Sequence, residues 1–272
     1  MQQIEIMEKL KVIISGGGTG GHIFPAIAIA KAIEEKVENV EFLFVGAEDK
    51  MEMDKVPSAG YKIVGLWISG LQRSLSSRNL VFPFKLISSL LKARQIIKQF
   101  KPDLAVGTGG YASGPLLFAA TQKGVPCLIQ EQNSYPGITN KILAKYVQKV
   151  CVAYDNMERF FGNKKLVLTG NPIREDILGF DAKTEVGQDF FNIDSNKITV
   201  LVVGGSLGAR TINTTIADNI HVFKKADLNL IWQTGISFQN QSKKILEEVD
   251  VPGIQAHVFI KDMDLAYAAA DI

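Results

Sequence analysis

Residues 11–34 read KVIISGGGTGGHIFPAIAIAKAIE, and the order of residue types in this stretch decides the fold class. A short apolar run, KVIIS, reads as a strand and leads straight into the glycine-rich Gly16–His22. A helical pattern follows from about Phe24 or Pro25, where a proline suits a first helical turn. Glycines between a strand and a helix let backbone N–H groups and the helix N-terminus approach an anion closely, so a phosphate-bearing ligand is expected. Gly16, Gly18 and Gly21 also satisfy GxGxxG, and Glu48 stands near where dinucleotide enzymes place a ribose-binding acid. Taken alone, the loop favours a dinucleotide fold, with a ligand-free tight turn as the plainer alternative.

Moving outward, VEFLFVG, DLAVGTGG, VPCLIQE, KVCVAY and KLVLTG alternate with helical patterns, which predicts a doubly wound parallel sheet. The pattern pauses near Asn171–Pro172, and the polar segment through Asn196 reads as a connection. ITVLVVGG then opens a second series: a helix from about Ala209, LNLIWQTG, a polar helix around Lys243–Glu248, IQAHVFI and a final helix. The expectation is two Rossmann-like α/β domains facing a cleft, 1–172 and 173–272. A doubly wound sheet usually has five or six strands, so the second domain reads as incomplete.

The bulk numbers narrow the function classes. The chain has 272 residues, 46% of them hydrophobic, enough for one large or two ordinary cores. A net charge of +2 argues against a nucleic-acid binder with a broad basic surface. Cys127 and Cys151 form no CxxC pair, which suggests neither disulfide nor zinc and fits a reducing cytoplasm. With no apolar run of membrane-spanning length and no signal-peptide core at the N-terminus, a chain neither inserted nor exported is expected.

Further residues gather at strand ends. His22 stands at the mouth of the first loop, where an imidazole is suited to moving protons. Gly204-Gly205-Ser206-Leu207-Gly208 follows strand VLVV and reads either as a diphosphate-binding loop or as a GxSxG nucleophile elbow, with His257 downstream. GTGGYASGP, with Tyr111, ends DLAV. Gln130-Glu131-Gln132-Asn133 ends VPCLI with one acid and several amides, groups that bind sugar hydroxyls or take a proton. Arg174 in GNPIR could fork onto a phosphate. Between Leu66 and Lys98, Trp67, Leu71, Leu75, Phe82, Phe84 and Ile87 interleave with Arg73, Arg78, Lys85, Lys92 and Arg94 without a single acid. That composition suits an anionic membrane surface and, equally, an amphipathic helix packed on the sheet.

Together GGGTGGHIFPAIAIA, GTGGYASGP, QEQNSYPGITNK, GNPIRED, VVGGSLGAR with Asn213, WQTG and FIKDMDLAYAAADI resemble the bacterial undecaprenyldiphospho-muramoylpentapeptide β-N-acetylglucosaminyltransferases of glycosyltransferase family 28. The resemblance spans essentially the whole chain. It implies a two-domain GT-B fold and an inverting transfer of N-acetylglucosamine from UDP-GlcNAc to undecaprenyl-linked lipid I, giving lipid II, without a metal or other cofactor. Carried over residue by residue, Thr19, Gly20, Gly21, Asn133, Arg174, Ser206 and Ile260 fall at donor positions. His22 and Glu131 are competing candidates for the base, and Tyr111 and Asn140 fall on the acceptor side. The resemblance further implies a peripheral enzyme on the cytoplasmic face of the bacterial inner membrane, with cell-wall or division proteins as partners. The family's uracil- and sugar-holding segment beyond Ile272 is absent from this sequence, so weak or absent turnover is expected of this chain. Competing readings are an NAD-dependent oxidoreductase resting on GxGxxG, a Ser206 esterase, a membrane-docking scaffold, and a GT-B transferase with another lipid acceptor.

Overall fold

The computed structural model describes residues 9–70, 81–162, 165–173, 184–204 and 208–272. The chain divides into two compact units, Met1–Arg174 and Glu175–Ile272.

Unit 1 is built on seven parallel strands: β1 (Leu10–Gly16), β2 (Val40–Ala47), β3 (Ile63–Leu66), β4 (Leu104–Gly109), β5 (Cys127–Glu131), β6 (Lys149–Val152) and β7 (Leu166–Leu168). Their order is β3-β2-β1-β4-β5-β6-β7. The chain reverses direction across the sheet between β1 and β4, and in such sheets ligands bind outside the carboxyl ends of the strands at that point. β1 shows why the sequence commits to this arrangement. Its side chains alternate faces, so Val12 and Ile14 enter the core under α1 (Gly20–Glu34), while Ile13 enters the opposite core. Both faces are therefore covered, and the centre of the strand, Val12–Ile14, is continuously apolar rather than alternating. Each such fully buried aliphatic side chain contributes about 1.5–3 kcal/mol. On α1, Ile23, Ala26, Ile27 and Ala30 recur at helical spacing and face the core of Val12 and Ile14.

Two departures from the sequence reading have local causes. The helix begins at Gly20 rather than near Pro25, because His22 N and Ile23 N donate back to Thr19 O at 3.1 and 3.2 Å and close a turn four residues early. Pro25 is then carried, buried, inside the helix. Strand β3 was not legible: it is four residues long and includes Gly65, too little for a period of two to show.

After α2 (Glu52–Ser58), α3 (Phe82–Phe100) has two apolar faces. Ser89, Ala93, Ile96 and Ile97 are buried on the sheet, whereas Phe84, Ile87 and Leu91 are exposed at 67%, 58% and 60%. The part of the cationic, aromatic stretch that lies in α3 therefore packs one face on the sheet, as the amphipathic-helix reading expects. Residues 71–80, with Arg73 and Arg78, lie outside the described residues. No helix among the described residues is long and apolar enough to cross a membrane. The remaining helices of this unit among the described residues are α4 (Ser113–Gln122), α5 (Ile138–Leu143) and α6 (Glu158–Phe161).

Unit 2 has parallel strands β8 (Thr199–Val203), β9 (Asn229–Gln233) and β10 (Ile254–His257) in the order β10-β9-β8. Asp271 N donates to Thr199 O and Leu201 N to Ile272 O, which sets the last two residues along the other edge of β8. The order around β8 thus repeats that around β1. Part of the expected connection is helical: α7 (Glu185–Phe191) is capped by Thr184, whose hydroxyl accepts from Gly187 N, and packs on α11 (Met263–Ala269). Between them lie α8 (Arg210–Asp218), α9 (Ile220–Lys225) and α10 (Gln239–Val249).

A buried chain of hydrogen bonds ties α8 to β9: Trp232 Nε1 donates to Asn213 Oδ1 at 3.0 Å, and Asn213 Nδ2 donates to Thr234 O at 2.7 Å. Asn213→Leu strands the indole N–H and the carbonyl in a dry core. We expect it to cost unit 2 about 2–4 kcal/mol. Urea denaturation followed by Trp232 fluorescence in a Trp67→Phe background measures this.

Candidate active site

The carboxyl ends of β1, β4 and β5 carry three of the predicted loops. The loops that end β1 and β4 are packed backbone to backbone. Gly17 N donates to Gly109 O at 3.3 Å, and a Cβ on Gly110, whose φ is +92°, would overlap the Gly17 carbonyl. Ser113 Oγ, at the start of α4, reaches both Ser15 O and Gly109 O, and Thr108 Oγ1 donates to His22 O at 2.7 Å. Within the first loop His22 Nδ1 lies 3.0 Å from Gly17 O and 3.3 Å from Thr19 Oγ1. A carbonyl oxygen only accepts, so this contact assigns the proton to Nδ1 and leaves Nε2 as the acceptor. Nε2 lies beside Gly109, where the missing side chain leaves room for the ring. Thr19 is the N-cap of α1, and Gly20 and Gly21 are its first two residues, ahead of the first intrahelical bond. Tyr111, half exposed, stands over Gly18 and Gly70.

A residue that the sequence reading missed holds this loop. Glu52 is completely buried; its Oε1 accepts from Ala47 N at 3.0 Å and its Oε2 from Gly18 N at 2.9 Å. The Gly18 N–H that a pyrophosphate would need is thus taken by a protein carboxylate, and a second anion there would meet like charge. Glu48, the expected ribose acid, instead pairs with Lys92 at 3.0 Å on the surface. Both observations count against the dinucleotide reading.

At the end of β5 the predicted residues come together as a closed cluster. Glu131 Oε1 accepts from Asn133 N and Asn133 Nδ2 at 3.1 and 3.0 Å, and Oε2 from Gly137 N and Asn140 Nδ2 at 3.1 and 2.9 Å. Four donors fill the acceptor positions of a carboxylate, and Glu131 and Asn140 are both buried. The four donors count against Glu131 as a competing base, since its acceptor positions are engaged in shaping the loop. Asn133 is exposed beside it.

In unit 2 the second loop leaves β8 at Gly204; Ser206 lies outside the described residues, as does Arg174. Gly208, at φ +81°, abuts Thr234 O and re-enters α8, which Asn213 anchors. Ile260 is a core side chain, and its N–H donates to Gln233 Oε1 at 2.8 Å, so Gln233 of the WQTG motif fixes that backbone. His257, the esterase candidate's partner, packs edge-on against Phe191 with ring centroids 5.5 Å apart. Among the described residues no three His, Cys, Asp or Glu side chains are grouped to hold a metal ion.

Comparison with known proteins decides the assignment. Residues 12–152 match the glycosyltransferase family 28 N-terminal domain and residues 199–272 its C-terminal domain. The chain belongs to glycosyltransferase family 28. It is similar to the UDP-N-acetylglucosamine–N-acetylmuramyl-(pentapeptide) pyrophosphoryl-undecaprenol N-acetylglucosamine transferase of Christiangramia forsetii, at 54% identity over 97% of this chain and 71% of that one. The protein of the same name from Flavobacterium psychrophilum is 53% identical over 98% of this chain and 72% of that one. The crystal structure of Acinetobacter baumannii MurG superposes with a TM-score of 0.67 at 28% identity, covering 97% of this chain and 71% of that one.

As a family 28 member the chain is a GT-B glycosyltransferase, a hexosyltransferase, and the oxidoreductase and esterase readings fall away. Its glycine loops resemble dinucleotide loops in sequence because both need backbone close to a ligand-facing strand end. What separates them here is Glu52, which no spacing rule flags in the polar run EDKMEMDK.

Two outcomes follow. Glu131→Ala removes an acceptor from four N–H donors, and we expect unit 1 to lose about 3 kcal/mol or more in urea denaturation; a solvent-facing base would leave the midpoint unchanged. Burial lowers the His257 pKa from its ordinary 6.5, so below that value the unfolded chain binds a proton that folded unit 2 resists. Unit 2 stability is therefore full above about pH 7 and declines as pH falls through 6.5. The decline should be smaller in His257→Gln, measured by thermal melts at both ends of that range.

Proposed function

We propose that this chain transfers N-acetylglucosamine from UDP-GlcNAc to the muramoyl 4-hydroxyl of undecaprenyl-diphospho-N-acetylmuramoyl pentapeptide, with inversion at the anomeric carbon. The observation that carries this reading is identity above 50% over nearly the whole chain with curated transferases that bear the activity in their names. Inversion needs one in-line displacement: the acceptor oxygen bonds to the anomeric carbon as the bond to the diphosphate breaks and its electron pair leaves with UDP. The acceptor proton goes to His22 Nε2. The Nδ1 contact with Gly17 O supports that role, because it leaves Nε2 the free lone pair.

Unit 1 is the acceptor and membrane-facing domain in this reading, with Tyr111 and the Asn140 loop on the acceptor side and Thr19, Gly20, Gly21 and Asn133 toward the donor sugar. Unit 2 is the nucleotide domain, with Ser206 and the backbone at Ile260, and Arg174 contributes at the junction in sequence. Charge that builds on the departing diphosphate is met by backbone N–H groups at helix starts. The exposed Phe84, Ile87 and Leu91, with Lys85 stacked 5.5 Å over Trp67, support docking of α3 on an anionic membrane surface at the cytoplasmic face. A transferase with another lipid acceptor shares all these features, and only the choice of acceptor in the assay separates the two.

The test is calorimetric titration with UDP-GlcNAc and with NADH, run on this chain and on a form extended to the length of the Christiangramia forsetii relative. Heat with UDP-GlcNAc and none with NADH supports the proposal; the reverse pattern overturns it. In the extended form His22→Ala should lower transfer to a lipid I analogue by about 10²–10⁴-fold. Near-normal transfer would remove His22 as the base.

A further inference from the structure

The buried carboxylate of Glu52 and the imidazole of His22 grip opposite edges of the same peptide group. The unit joining Gly17 and Gly18 donates its N–H to Glu52 Oε2 at 2.9 Å and offers its C=O to His22 Nδ1 at 3.0 Å. A peptide group is planar, so fixing one edge fixes the other. We infer that Glu52 is a positioning residue for His22, acting through the Gly17–Gly18 peptide to hold the imidazole in the Nδ1–H tautomer with Nε2 as the proton acceptor. This rests on the reading of His22 as the base.

The chemistry of each link supports it. A carboxylate accepting the peptide N–H polarises the amide and makes its carbonyl oxygen a stronger acceptor, and chains of hydrogen bonds reinforce one another in this way. The strengthened carbonyl favours the tautomer that donates to it, which is the work a carboxylate performs directly in other histidine-based sites. The contact is also tight: a Cβ on Gly17 would overlap the Glu52 carboxylate, and one on Gly46 would overlap Glu52 Cγ. Burying a charge with no cation beside it is costly. A glutamine could serve only one of the two N–H groups, Ala47 and Gly18, with an oxygen, and would face the other with its NH₂. Glu52 sits 30 residues beyond His22, on a different element, and touches no expected substrate position, so its part is to orient rather than to react.

The experiment is nitrogen NMR of the 15N-histidine-labelled chain at neutral pH. Three histidines give resolvable imidazole pairs, with His22 assigned by its loss in His22→Gln. The wild-type protein should show His22 Nδ1 protonated and Nε2 unprotonated. In Glu52→Gln the ratio of the two neutral tautomers should shift toward Nε2–H by about tenfold, the size of one charge-assisted hydrogen bond exchanged for a neutral one. His221 and His257 should not move. If Glu52→Gln does not fold, Glu52→Asp, one methylene too short to span both N–H groups, replaces it. A wild-type His22 in the Nε2–H tautomer, or a folded variant with an unchanged ratio, overturns the inference. A tautomer shift together with unimpaired transfer by His22→Ala keeps the positioning and sinks the base assignment instead.

Discussion

Two loops and two polar side chains of unit 1 are fixed on one peptide plane. Where β1 ends, the backbone must turn into α1 while lying against the loop that ends β4, and the Gly17–Gly18 unit is the piece caught between them. Around it a side chain is excluded at Gly17 by the Glu52 carboxylate, at Gly110 by the Gly17 carbonyl and at Gly109 by the ring of His22. The glycines are consequences of that crowding. Their φ values and missing Cβ atoms permit the geometry, but the hydrogen bonds from the peptide's two edges select it.

The same device recurs at the end of β5. Glu131, like Glu52, is an acid sunk among N–H donors, here the backbone N–H groups of Asn133 and Gly137 and the side-chain amides of Asn133 and Asn140, all within ten residues. A loop beside a ligand site cannot rely on an apolar core, since it must stay open to polar substrate, so it needs another source of rigidity. A buried carboxylate supplies it by organising orphan N–H groups that neither a helix nor the sheet can satisfy. In unit 2, where the anchoring groups are the amides of Asn213 and Gln233, the same job is done without charge.

Much of this was legible. Doubly wound α/β character followed from short apolar strand runs alternating with helical patterns, and the strand-end loops from their glycines. The elements that escaped had weak or misleading local signals. β3 is too short for periodicity. α7 hid in a segment whose polarity resembled a linker, although Thr184 is an ordinary cap residue. Pro25 pointed to a helix start that the earlier turn at Thr19 pre-empted. Residue type alone also ranked Glu131 beside His22 as a base, because an acid in a loop looks the same in sequence whether its lone pairs are free or filled.

GxGxxG failed as a functional sign here for a reason that generalises. The motif reports that backbone approaches something closely; it does not say whether that something is a ligand phosphate or a carboxylate of the protein itself. In a dinucleotide loop the first-turn N–H groups are left for the pyrophosphate, so no acid can be buried behind them. In this chain the acid arrives from the start of α2, 34 residues after the N–H it accepts, and occupies the position from the inside. A buried acid at the start of the helix that follows the second strand therefore carries information opposite to a partly exposed acid just past the strand's end. Glu52 and Glu48 lie four residues apart and show both cases: one closes the loop to an anion, the other only meets Lys92 in solvent.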